Sequence, residues 1–126
     1  MLGAMPGYPI LQTHLPSMLT EGFHNRQVPL EAILTKATAH PARIFGIYPQ
    51  KGTIATGSDA DLVVLDLNKE VQVDSGKLFS YGDFSIHEGR TLKGWPEVVI
   101  KGGRIAYKDG EIVAQPGSGS YLKRSL

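Results

Sequence analysis

Gly52-Thr53-Ile54-Ala55-Thr56-Gly57-Ser58-Asp59-Ala60-Asp61-Leu62-Val63-Val64-Leu65-Asp66 reads as a turn, a glycine corner and then a strand. Leu62–Leu65 is a continuous apolar run rather than an alternating one, which predicts a central strand covered on both faces. Gly57 supplies the unusual backbone angle before the corner. Asp59 and Asp61 stand two apart, so on extended chain they point to the same side. Their oxygens suit backbone N–H groups of a tight turn. Carboxylates at this spacing also occur in calcium loops. A calcium site using Asp59, Asp61 and Asp66 is disfavoured, because no further oxygen ligands follow at suitable spacing.

Around this stretch the chain is long enough for one domain with a modest core: it has 126 residues, 41% of them hydrophobic. That content excludes a disordered polymer. A net charge of +1 gives no electrostatic reason to expect nucleic acid or an anionic membrane as partner. The absence of cysteine removes disulfides and thiolate metal sites and fits a cytoplasmic setting. No apolar run approaches the roughly 20 residues that cross a bilayer, and residues 1–6 lack the pattern of a secretory signal.

Upstream of the corner, Gly3, Pro6, Gly7, Pro9 and Pro16 predict an irregular segment over residues 1–16. One or two helical turns over Pro16–Gly22 follow, stopped by Gly22, then a polar loop over 23–28. Pro29 opens a helix whose residues Leu30, Ile33, Leu34 and Ala37 share one apolar face. Pro41 opens a shorter helix closed by Gly46, with His40 as a substitute N-cap. His14 has no second histidine at ligand-like spacing and reads as a surface or loop residue, His24 lies in the polar loop, and His87, beside Glu88, reads as a surface residue.

Downstream, the pattern turns extended. Thr53–Ala55 reads as a short strand, residues 60–65 as the central one, Asn68-Lys69 as a turn, and Val71 and Val73 as a half-exposed strand ended by Asp74-Ser75-Gly76. Residues 77–92 read as a long loop. Trp95-Pro96 precedes a hairpin made of Val98–Ile100, a Lys101-Gly102-Gly103 turn and Arg104–Tyr107. Asp109-Gly110 signals a second hairpin. The tail from Gln115 is glycine-rich but lacks phosphate-loop spacing.

Several stretches together resemble the C-terminal end of a cyclic amidohydrolase of the hydantoinase and dihydropyrimidinase branch, with dihydroorotase and allantoinase as relatives. Gly7-Tyr8-Pro9 is similar to the family's G-x-P segment leading into a helix. His40-Pro41-Ala42-Arg43-Ile44-Phe45-Gly46-Ile47-Tyr48-Pro49 resembles N-P-A-K-x-F-G-L-x-P. Lys51-Gly52-Thr53-Ile54 with Gly57-Ser58-Asp59-Ala60-Asp61-Leu62-Val63 resembles K-G-x-I-x-x-G-x-D-A-D-L-V. Gly94-Trp95-Pro96 and Pro116-Gly117-Ser118-Gly119 have counterparts in the same order.

The resemblance implies an α+β fragment: residues 1–47 as the last loop and helices of a TIM-type barrel, and residues 48–126 as the C-terminal share of a flanking β-sandwich. It implies zinc or another divalent metal in the parent enzyme, where the ion activates a water that attacks a ring amide carbon. The family's ligands are an H-x-H pair, a lysine that is often carboxylated, two later histidines and an aspartate, all upstream of the matched segment. This chain has no H-x-H and no aspartate before Asp59. No catalytic or metal-binding residue is therefore expected here, and the isolated chain should be inactive. One substrate contact is implied: the backbone carbonyl of Pro6, at the position of an Asn that binds the ring amide, where proline lacks the N–H donor. The alternative is a free-standing, non-catalytic β-rich interaction or assembly module. A barrel helix deprived of its sheet must cover its apolar face some other way, which predicts a homo-oligomer.

Overall fold

Residues 7–124 are described by the computed structural model. The element order is α1 (Leu11–Met18), continued without a break by a π-helical stretch (Leu19–Asn25), α2 (Leu30–Ala37), α3 (Ala39–Ile44), β1 (Leu62–Gln72), a 3-10 turn (Ser75–Lys77), β2 (Thr91–Lys101), β3 (Arg104–Lys108) and β4 (Glu111–Ile112). The four strands form one sheet in the order β1-β2-β3-β4. The α+β class is as expected from the sequence. The chain divides into two units, and the division falls inside β1 and β2.

The first unit comprises the described residues up to Gln27 together with Leu67–Trp95. Its helix begins at Leu11, not after Pro16, and it runs through both Pro16 and Gly22. The sequence expectation fails here because a buried stripe outweighs the proline. Thr13, Pro16 and Leu19 recur at near-helical spacing and are all fully buried. Burial of a leucine side chain is worth about 2 kcal/mol, comparable to the roughly 3 kcal/mol that an interior proline costs. Gly22 has no positive φ and cannot act as a stop; the chain turns left-handed only at Gln27, φ 55°. The core beside this helix holds Val73, Leu92 and Trp95, with Val71 and Leu78 against them. The Trp95 indole N–H donates to the Leu92 carbonyl at 2.8 Å. Trp95 and Pro96 therefore lie within β2 rather than ahead of it.

The second unit comprises Val28–Asp66 and the described residues from Pro96 onward. Pro29 caps α2 as expected. Ile33 is buried and Leu30 and Leu34 are half-buried, whereas Ala37 is exposed. The residue at the N-cap of α3 is Thr38, and His40 sits inside the first turn. Pro41 is tolerated there because a first-turn N–H has no helical partner to lose. Gly46 closes the helix at φ 68°. Thr53–Ala55 is irregular rather than a strand, with Ile54 87% exposed.

β1 also departs from expectation. It stands at the edge of the sheet order, and Val63 and Val64 are 46% and 53% exposed. An apolar run signals the need for cover on two faces, but not that the same chain supplies it. No turn occurs at Asn68-Lys69. From Leu65 onward burial alternates strictly, with Leu65, Leu67, Lys69 and Val71 half-buried and Asp66, Asn68, Glu70 and Gln72 exposed. Pairing with an equally long β2 overrides the local turn signal. Backbone bonds from Gly103 to Ala60 and from Val73 to Arg90 bracket the two strands and fix them as antiparallel.

The two hairpins match the sequence. Gly102 and Gly103 have φ 55° and 77°, and Asp109 and Gly110 have φ 53° and 86°, the doubly positive geometry of a type I′ turn. β2 and β3 are antiparallel with a bulge at Val99/Ile100, and β4 pairs with β3.

Two corner glycines separate backbone strain from crowding. Gly57 (φ 90°) has open space where a Cβ would lie. At Gly52 (φ 86°) a Cβ would sit 2.6 Å from that of Ala42 and 2.9 Å from the Thr38 carbonyl oxygen. Gly57→Ala is expected to cost about 1 kcal/mol from the left-handed conformation alone, and Gly52→Ala about 3 kcal/mol or more once overpacking is added. Urea midpoints of the two variants check the ranking, and equal losses would refute it.

Candidate functional site

The corner that opens the second unit's strand is built around a lysine the sequence reading did not pair. Lys51 Nζ lies 2.8 Å from Asp59 Oδ2 and also bonds Asp61 Oδ2. The two aspartates do point to one side, as their spacing requires. The second Asp61 oxygen accepts the Gly102 N–H at 2.7 Å, so the carboxylate reaches the hairpin turn between β2 and β3. Asp59 N donates to the Gln50 carbonyl at 2.9 Å, and Ser58 Oγ donates to the Pro49 carbonyl at 2.7 Å. The bond to Lys51 holds the Asp61 carboxyl below its ordinary range, with Gly102 assisting. The two carboxylates, Asp59 first and then Asp61, hold the Lys51 ammonium above its ordinary range. The sequence reading expected these oxygens to accept N–H groups of their own tight turn; Asp61 instead accepts one from the β2–β3 hairpin turn, 41 positions away. An ammonium stands where the calcium reading would put a cation. A lysine eight and ten residues ahead of two aspartates, across a glycine corner, was the available signal.

The histidines are dispersed in role. His14 and His40 are exposed. His24, in the π-helical stretch, has Nε2 2.8 Å from the Leu67 carbonyl of β1. His87 is buried, 9% exposed, against the expectation of a surface residue. The cause is a tight turn in which the Ser85 hydroxyl accepts the His87 N–H at 3.2 Å and the Arg90 N–H donates to the His87 carbonyl at 3.0 Å. Arg90 in turn pairs with Glu21 of the π-helical stretch. These partners are 69 positions apart in sequence, and no local pattern reveals them.

Among the described residues no group of three or more His, Asp and Glu side chains could hold a metal ion. The residues here thus do not fit the zinc or other divalent ion that the family resemblance implies. Pro6, the expected substrate contact, lies outside the described residues. Among those residues no helix is long and apolar enough to cross a membrane.

The amidohydrolase family model matches residues 11–106. The chain is 38% identical over 114 residues to an L-hydantoinase of Paenarthrobacter aurescens, covering 90% of this chain and 25% of that protein. It is 45% identical over 82 residues to a dihydropyrimidinase of Arabidopsis thaliana, covering 65% of this chain and 15% of that protein. In structure it superimposes on an L-hydantoinase (dihydropyrimidinase) from Arthrobacter aurescens with a TM-score of 0.91 at 37% identity, covering 96% of this chain and 27% of that one. The chain thus spans no more than 27% of the length of these relatives. It belongs to the amidohydrolase family, and within it resembles the hydantoinases and dihydropyrimidinases.

Proposed function

We propose that this chain is the C-terminal part of a metal-dependent hydrolase that opens cyclic amide rings, hydantoin or dihydropyrimidine or a close relative. The observation that carries the reading is the likeness to L-hydantoinase over 90% of the chain and 25% of that enzyme. Residues 1–47 are then the last loop and helices of the barrel, and residues 48–126 the C-terminal share of the sandwich. The metal, zinc or another divalent ion, would supply an activated water from ligands outside this segment. The Pro6 carbonyl is the one proposed contact to substrate. A cytoplasmic setting suits the cysteine-free composition.

On this reading the 126-residue chain alone is catalytically inert. Ring opening of hydantoin, dihydrouracil, dihydroorotate and allantoin should be measured with added zinc on the purified chain and on the intact gene product. Turnover only by the intact product is expected. Turnover by the purified 126-residue chain would overturn the proposal.

We also propose that the chain self-associates. On the apolar face of α2, Ile33 is buried and Leu30 and Leu34 are half-buried, so the larger exposed apolar surface lies elsewhere than the sequence suggested. Ile44, Phe45, Ile54, Ile105, Ile112 and Tyr121, all in the second unit, are 49% to 91% exposed. Apolar surface of this kind favours association. Sedimentation at micromolar concentration is expected to give a dimer or larger species. Ile44→Ser with Phe45→Ser should shift it toward monomer. A monomeric unmodified chain would count against the idea.

A further inference from the structure

The turn that holds His87 contains a buried imidazole with an unmet bond. Its Nδ1 faces the Arg90 guanidinium at 3.5 Å. Guanidinium can only donate, so Nδ1 must be the acceptor and the ring proton sits on Nε2. That Nε2 is buried and has no hydrogen-bond partner. Arg90 is itself fixed by Glu21, so one ion pair ties the turn to the π-helical stretch of the first unit. The charged groups facing His87 are Arg90 from its own turn and, beyond it, Glu21.

We propose that the Glu21–Arg90–His87 cluster is an acid-sensitive latch: protonation of His87 releases the 85–90 turn from the helix and from the end of β1. A second proton on the ring would put two cations 3.5 Å apart, and the buried imidazolium would have no acceptor. Arg90 must then leave the ring or the ring must leave its pocket. Both movements act on neighbouring backbone bonds, because the Arg90 carbonyl accepts from Val73 N at 2.9 Å and Gly89 N donates to the Val73 carbonyl at 2.9 Å. Burial, and then the Arg90 charge, hold the His87 ring below its ordinary 6.5, with Glu21 opposing. The open state therefore binds the extra proton more readily. Stability from the latch is complete above pH 6.5 and declines as pH falls toward the depressed folded value.

Amide hydrogen exchange on the full chain, corrected for intrinsic rates, tests the latch at Val73 and Gly89. Uptake of one proton on opening should raise their opening constants by up to about tenfold per pH unit between pH 6.5 and the depressed folded value. His87→Phe fills the site without a titrating group and should abolish that slope. Ring nitrogen shifts of the unmodified chain provide a readout if the variant fails to fold. A flat slope in the unmodified chain, an unchanged slope in His87→Phe, or a protonated His87 with Gly89 still protected would each overturn the proposal.

Discussion

The first unit depends on what Gly94 lacks. Its φ is 91°, and a Cβ there would lie 2.8 Å from Leu19 Cδ1 and 3.0 Å from Leu19 Cβ. Leu19 fills that place and is fully buried. The next residue completes the junction: the Thr20 hydroxyl donates to the Pro16 carbonyl and accepts the Lys93 N–H, both at 2.7 Å. A side chain at 94 would push the helix from β2 and break the bond from Lys93 to Thr20. Thr13, Pro16 and Leu19 are buried together along the helix ahead of the π-helical turns.

Turn chemistry was the most legible part of the sequence. Gly102-Gly103 and Asp109-Gly110 declare their turns through residue types that tolerate positive φ, a constraint read locally. Pro29 declares the start of α2 in the same way. Long-range packing was not legible. The span of α1 across Pro16 and the continuity of β1 through Asn68-Lys69 are each decided by residues far away in sequence. Local breakers and turn formers give a preference of about 1 to 3 kcal/mol, and tertiary contacts exceeded it at both places. At the candidate site the side-by-side aspartates were foreseeable from their spacing; their lysine partner was signalled by its place across the glycine corner and went unread.

Membership of the amidohydrolase family and the exposed apolar surface of the second unit fit together. Relatives of this chain are four-fold longer or thereabouts, since it covers 25% of one and 23% of another. β1, with its apolar run, stands at the edge of the sheet order, and Ile44 and Phe45 project from α3 at 81% and 64% exposure. Surface of this character is normal where further protein covers it. The well-made parts are the turns, the Lys51 corner and the helix junction.

The central claim is that this segment organises structure while the reaction centre is formed elsewhere. Metal content of the purified 126-residue chain, expressed with zinc and freed of loosely bound ions by gel filtration, tests it most directly. Zinc well below one equivalent per chain is the expected result. A full equivalent or more, retained at neutral pH, would contradict it.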